Sequence, residues 1–329
     1  MWKVNAGRRS ALAQEFLDRS VVAIGWREAG DYSKDRTFAA VLERISQAYP
    51  AQTDKQKQVS AGQIWRFLNE VQIGDPVLTY EPANRLYHLG VMAGSPQYAP
   101  NEIDALPVKR AVKWQSSVSR DDLSDAARGR LGAILTLFRV APSAVSELNS
   151  LASGKKPFQL PQTDDEIAIA DVSDPFEGLE DQAVERIKDK LLALDWEEMQ
   201  EIVASLLRAL GYRTAISPAG PDRGKDIVAS KDGFGFERPR IVVEVKHRRG
   251  QMGAQEIRSF LGGRHQDDRG LYVSTGGFTR EAQYEAERAA TVTHLMTLDG
   301  LARALIDQYE QLDDRGRSLL PLTKIYWPG

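Results

Sequence analysis

The stretch IVVEVKH, residues 241–247, decides how the second half of this chain folds. Ile241, Val242, Val243 and Val245 carry the β-branched signature of a buried strand. Glu244 and Lys246 nevertheless stand in its second half. Residues two apart on a strand project from the same face, so a carboxylate and an ammonium share one side of a core strand. Buried charge is costly unless compensated. A mutual salt bridge at the strand end is one solution, and a carboxylate–metal–lysine site is the other.

The segment just upstream, GPDRGKDIVAS (220–230), favours the second solution. A hairpin pairing 226–230 with 241–246 brings Asp226 near Glu244. Two carboxylates at close range repel unless a cation lies between them. Magnesium prefers hard oxygen ligands and keeps several waters. Two acids and a lysine around such an ion suit phosphodiester hydrolysis: the metal acidifies a water and offsets phosphate charge, and the lysine stabilises charge as it develops. Asp222 competes with Asp226, but between Gly220 and Gly224 it reads as a turn residue.

The elements around this hairpin predict an α/β domain over 183–310, a mixed sheet flanked by helices. Its clearest helix has Asp195 as N-cap and Glu198 three residues on, as in a capping box, and Gly211 as terminator. Met199, Ile202, Val203, Leu206, Leu207 and Leu210 form its apolar stripe. Strands are expected at 213–217, 226–230, 240–246, 270–275 and 293–298, and helices at 254–261, 279–290 and from 300. Residues 311–329 read as a C-terminal tail.

Residues 195–306 resemble the Mrr-type restriction endonuclease catalytic domain, of the PD-(D/E)XK kind. The resemblance rests on LLRALGY (206–212), GPDRGKDI (220–227), VVEVKHRRG (242–250), QEIRSFLGG (255–263), RGLYVSTGGFTREA (269–282) and LDGLA (298–302). It implies that Asp226 and Glu244 bind the metal and that Lys246 is the catalytic lysine. The family favours Gln at the Glu244 position, and it carries a Glu on its first helix where this chain has Gln200. At about 100° per residue, Gln200 lies at the edge of the apolar stripe, whereas Glu201 points toward solvent. An amide oxygen at Gln200 can hydrogen-bond a metal-bound water, so Gln200 joins the catalytic set, with one metal or two left open. STGG, 274–277, is either a phosphate-binding turn or a tight turn before a helix. His247, on the face opposite Lys246, reads as structural.

The first 115 residues read as a separate α/β unit with short strands at 21–26, 75–80, 85–94 and 110–114 and helices over 38–49 and from Ser60. MWKVNAG, AIGW (23–26), GDPVLTY (74–80), YHLGVMAG (87–94) and a strand ending VKW (112–114) are similar to a PUA-like, β-barrel-like domain of the EVE-like group. That resemblance implies a reader of modified bases, which flips a base into an aromatic-walled pocket. Trp26, Trp65 and Tyr80 are the expected pocket residues; the plainer account is that these aromatics fill a small core. Residues 116–182 read as a helical segment followed by an acidic linker containing SGKKP, LPQTDDE and DPFEG.

Composition narrows the function further. The chain has 329 residues, no cysteine and four histidines, which excludes disulfides, thiolate zinc sites and a cysteine nucleophile. The net charge of −3 conceals an asymmetry: residues 164–185 hold nine acidic groups and no Lys or Arg, whereas 223–249 hold eight Lys/Arg against four acids. The basic stretch suits phosphates. Arg223, Lys225, Arg248, Arg249, Gln255 and Arg258 are the candidate DNA contacts. No apolar run is long enough for a membrane span, and the start lacks the pattern of a signal peptide, so a cytoplasmic protein is expected.

Together these features predict a modification-dependent (type IV) restriction endonuclease acting with Mg2+ on double-stranded DNA carrying modified bases, as a homodimer because one centre cuts one strand. Two other readings stay open: a repair or structure-specific nuclease, and a modified-DNA binding protein whose nuclease fold only grips DNA.

Overall fold

The computed structural model of the chain describes residues 1–133, 135–154, 179–217, 226–234, 236–262, 264–265 and 267–325. The chain divides into two compact units between Gln182 and Ala183. Both are α/β, as the sequence predicts.

The first unit runs β1 (Trp2–Val4), α1 (Ala13–Asp18), β2 (Val21–Ile24), α2 (Phe38–Ala48), α3 (Asp54–Trp65), β3 (Pro76–Glu81), β4 (Leu86–Met92), β5 (Gln97–Tyr98), β6 (Val108–Ser119), α4 (Asp125–Leu131), β7 (Leu137–Arg139) and α5 (Pro142–Ala152). Among the described residues its strands form one sheet in the order β2-β6-β4-β3-β1-β7, with β5 also on β6. The long β6 pairs with β2 and β5 through its first half and with β4 further along, with a bulge opposite Leu89 and Gly90, and the sheet curls. Alternation along the strands sends side chains to two cores. Val77, Met92 and Val112 join α2, α3 and β2 on one face, while Leu78, Tyr80, Tyr87 and Val118 meet α4 and α5 on the other.

This sheet does not end near residue 115. The polar run WQSSVS continues β6 to Ser119, because in a curled sheet a strand can keep alternating small polar groups exposed while burying Val118. Within the stretch read as helical, Leu137–Arg139 is a strand instead; it pairs with β1, and the Leu137 amide donates to buried Gln63 Oε1 (3.1 Å). The second helix also starts earlier than Ser60. Thr53 caps it in a box with Gln56, and the polar first turns after it hide the periodicity. Of the linker expected at 146–182, the part up to Ala152 belongs to helix α5 and the part from Leu179 to a further helix, and residues 155–178 lie outside the described residues.

The second unit contains most of α6 (Leu179–Ala193), then α7 (Trp196–Ala209), β8 (Arg213–Ile216), β9 (Ile227–Ser230), β10 (Ile241–Lys246), α8 (Ala254–Leu261), β11 (Arg269–Ser274), α9 (Arg280–Glu287), β12 (Thr293–Thr297), α10 (Leu298–Asp307) and α11 (Asp314–Leu319). The sheet order is β12-β11-β10-β9-β8 among the described residues. β8, β9 and β10 are antiparallel neighbours, and β10, β11 and β12 are parallel. Val243, Val245, Ile227, Leu271 and Val273 pack against α6, α7 and α10, and Tyr272 on the opposite face packs against α8 and α9. Asp195 and Glu198 form the predicted capping box of α7.

The stretch after 310 is part of this core, at least to Leu320, rather than a tail. Leu312 and Leu320 are buried, and Asp313 ties α11 to α7: it accepts from Ser205 Oγ (2.7 Å) and Arg208 Nε (2.5 Å) and caps α11 at Gly316 N (2.9 Å). Gly316 rests on Ser205 so closely that a Cβ there would collide. The last four residues, 326–329, lie outside the description. Because α11 covers this side of α7, Glu201 is buried and paired with Arg208 (2.6 Å) and Arg315 (3.7 Å), not turned to solvent as the helical wheel alone predicts.

Burial alone would raise the Asp313 carboxyl, but hydrogen bonds from Arg208, Gly316 and Ser205 outweigh it and pull it down to about 2. A folded value below the unfolded one, near 3.9, adds stability above pH 4 that is lost as pH falls toward 2. Asp313→Asn keeps the cap and loses the ion pair. In urea unfolding, the variant is expected to be less stable than the parent at pH 7, with the gap closing between about pH 4 and pH 2; a constant gap contradicts the ion-pair account.

Candidate active site

The site grows out of the end of the β9–β10 ladder. β9 pairs with β10 up to Ile227↔Val243, and the Asp226 amide adds a bond to Val243 O (2.9 Å). At the next step the Asp226 carboxylate stands in for a backbone acceptor: Oδ2 accepts from Val245 N at 2.6 Å. This bond aims a buried carboxylate at the residue between, Glu244.

Glu244 and Lys246 share the face of β10 that looks toward α8 and α9. The salt bridge expected from the sequence is present there. Lys246 Nζ is paired with Glu244 Oε1 (2.7 Å), and Glu244 still stands beside Asp226. Burial pushes the Glu244 carboxyl above its ordinary value; Lys246 pulls against this, Asp226 adds to it, and Arg264 pulls down again. Arg264 lies 3.9 Å from Glu244 Oε2, its side chain fully buried and its guanidinium over the Phe260 ring at 4.1 Å. Burial lowers the Arg264 pKa, with Glu244, Asp268 and Asp226 opposing.

The donor set fits a hard divalent ion. Two buried carboxylates that repel one another gain from a cation between them. Among the described residues no third His, Asp or Glu joins them in a metal-binding group. Hard divalent ions such as magnesium can be held by one or two carboxylates and keep several waters. Gln200 is buried on α7, and its Nε2 has no hydrogen-bond partner among the described residues. The start of α7 is held to the end of β10 by His247, whose Nε2 donates to Leu194 O (2.8 Å).

The loop after β10 is fastened to the loop after β11. Thr275 N donates to Lys246 O (3.0 Å), Arg248 N to Thr275 Oγ1 (3.1 Å), Met252 N to Gly277 O (2.9 Å) and Thr279 N to Met252 O (3.0 Å). A Cβ on Gly276 would run into the Gly250 carbonyl, so only glycine allows this approach. The Thr275 amide is therefore spent inside the protein, and STGG is the turn before α9, which Thr279 caps.

Of the expected DNA contacts, Arg223 and Lys225 lie outside the described residues. Arg248, Arg249, Gln255 and Arg258 are all exposed. Arg248 also reaches Glu256 (3.3 Å), and Arg258 reaches Glu285 (3.3 Å). In the first unit, Trp26 and Trp65 flank the same core cluster, with Trp26 left-handed at φ 66° and Trp65 Nε1 donating to Arg36 O (3.3 Å). Tyr80 is not brought to them. It lies in the opposite cluster, 4.7 Å from the Tyr87 ring, because even-numbered β3 residues face α4 and α5. Sequence reading missed Arg264, Tyr272 and Ser274. Tyr272 and Ser274 carry a usable signal, a polar pair two apart on the strand next to β10.

Two family models match the chain. Residues 191–305 match one described as a restriction endonuclease, and residues 2–140 match a domain of unknown function (DUF8426). The first match lies within the second unit, where the sequence resembles the Mrr-type restriction endonuclease domain. A curated relative, the uncharacterized protein y4cE of Sinorhizobium fredii (strain NBRC 101917 / NGR234), is 31% identical over 98 residues, 29% of this chain and 25% of that protein. The match therefore spans about a quarter of the relative's length. Among solved structures, the chain is similar to the MspJI restriction endonuclease in complex with a 27-mer oligonucleotide (15% identity, 92% of this chain and 74% of the other, TM-score 0.28). It is also similar to the DNA modification-dependent restriction endonuclease AspBHI (15% identity, 91% and 77%, TM-score 0.33). No helix among the described residues is long and apolar enough to cross a membrane.

The two jobs of Asp226 separate by substitution. Asp226→Ala strands the Val245 amide and is expected to cost about 1–3 kcal/mol in urea unfolding. Asp226→Asn keeps an acceptor and removes the repulsion on Glu244, so it should be at least as stable as the parent. Equal losses in the two variants would contradict this assignment.

Proposed function

We propose that the chain is a modification-dependent (type IV) restriction endonuclease that hydrolyses phosphodiester bonds of foreign double-stranded DNA in the cytoplasm with Mg2+. The observation that carries this reading is the buried Asp226–Glu244 pair with Lys246 on the same sheet face, inside a segment that matches a restriction endonuclease model.

Asp226 and Glu244 would hold the metal, and Gln200 would offer its amide from α7. Bound there, the ion supplies charge neutralisation at the scissile phosphate and a more acidic water. In hydrolysis a water oxygen bonds to phosphorus, one ester oxygen leaves and takes a proton, and negative charge grows on the phosphate. Lys246 answers that charge. Its Nζ, now on Glu244, exchanges this partner for a phosphate oxygen once substrate enters, and electrostatic stabilisation of this kind is worth most in a site shielded from water. Arg248, Arg249, Gln255 and Arg258 would bear on the DNA backbone, with Arg223 and Lys225 upstream of Asp226.

The first unit would act as the reader, a PUA-like or EVE-like module that selects a modified base. Trp26 and Trp65 are the aromatic walls that remain on one core; Tyr80 faces away from them. Since one centre cuts one strand, a homodimer would make the double-strand break.

Cleavage of matched plasmids, unmodified and carrying methylated or hypermodified cytosine, tests both parts. The expected result is Mg2+-dependent cutting of a modified plasmid only, slowed at least about 100-fold in Lys246→Ala and made indifferent to modification in Trp26→Ala or Trp65→Ala. Equal cutting of all plasmids removes the reader and keeps the nuclease. Binding without cutting favours a protein that only grips modified DNA.

A further inference from the structure

Two buried hydroxyls stand on the strand next to Glu244 and Lys246. Tyr272 and Ser274 on β11 are fully buried, and among the described residues neither Tyr272 Oη nor Ser274 Oγ has a hydrogen-bond partner. Buried polar groups are almost always satisfied, and an exception calls for a reason, such as a water, an ion or a catalytic role.

Their positions supply the reason. β10 and β11 run parallel with Glu244 in register with Tyr272 and Lys246 in register with Ser274. In-register residues on neighbouring strands share a face. The hydroxyls therefore lie on the face of the acid and the lysine, one strand away. The Tyr272 ring is fixed edge-on between Phe260 (5.1 Å) and Phe278 (5.8 Å), which sets the direction of its hydroxyl. Burial raises the Tyr272 pKa, and Glu244, Glu256 and Asp226 add to the rise while Arg248 opposes it, so the phenol stands within the field of the site and keeps its proton.

We propose that Tyr272 and Ser274 are positioning residues of this site, whose buried hydroxyls order the water that hydrates the Asp226–Glu244 pair. The ligand is water rather than phosphate, because neither hydroxyl is exposed to a chain as large as DNA. A buried water makes about three hydrogen bonds to otherwise unsatisfied groups. Tyr272 and Ser274 supply hydroxyl groups that no other described residue engages. The inference rests on the metal-dependent nuclease reading and adds residues outside the acid–acid–lysine motif.

The test uses the full-length protein without DNA. Mn2+, which favours the same oxygen ligands, is titrated against parent, Tyr272→Phe, Ser274→Ala and Glu244→Gln, with the free ion followed by electron paramagnetic resonance. Melting temperatures are measured without metal, and kcat and KM are measured with Mg2+ and a cleavable plasmid. Groups that orient metal ligands through hydrogen bonds typically change affinity 10–100-fold when removed. Tyr272→Phe and Ser274→Ala should each weaken Mn2+ binding about tenfold, with no fall in melting temperature and with the loss of activity in kcat rather than KM. A variant that binds Mn2+ as the parent does removes that residue from the site while leaving the nuclease reading intact. A parent that binds no Mn2+, like Glu244→Gln, removes the metal reading and this inference with it.

Discussion

Two charges on one face of a buried strand set the terms for the second unit. Glu244 and Lys246 are flanked by valines that must face the other way, into the core under α6, α7 and α10. The sheet therefore has an apolar side and a side whose centre holds an acid, a base and a second acid from β9. Arg264 is brought in fully buried, Lys246 pairs with Glu244, and α8 and α9 close the rest with aromatic and small apolar residues. Such an arrangement leaves Glu244 strained toward its neutral form. A fold that kept it only for stability would do better with apolar groups of the same size. The cost is explained if the pair is kept for a cation.

The backbone is subordinate to this placement. Asp226, just before β9, is aimed at Glu244 by the bond its carboxylate accepts from the Val245 amide. Lys246 ends its strand at the point where two loops are laced together, which requires glycine at 276. Site and scaffold are therefore one set of hydrogen bonds, so the substitutions that most affect function also perturb the local fold unless, like Asn for Asp226, they preserve the acceptor.

Much of this was legible in the sequence, for reasons that can be named. Period two in IVVEVKH exposes the conflict between burial and charge, and the spacing back to Asp226 allows a hairpin that brings the acids together. The capping box at Asp195 and Glu198 is local chemistry and reads directly. What escaped depends on partners distant in sequence. Glu201 looks solvent-facing on a helical wheel, because nothing in α7 reveals that α11, more than a hundred residues later, covers it. Arg264 sits in a loop whose course the sequence does not fix. Tyr80 resembles its aromatic neighbours in composition, but strand parity sends it to the other core. β6 runs on to Ser119 through polar residues, since a curled sheet exposes one side of its strand where a periodicity rule sees only a loop or a helix.

The central claim is that Asp226 and Glu244 form one cation site. Anomalous diffraction at the manganese edge, on crystals of the full chain grown with Mn2+, tests it most directly. The account predicts a single strong peak within coordination distance of both carboxylates. A peak held by other residues, or none while Lys246 remains bound to Glu244, would contradict it.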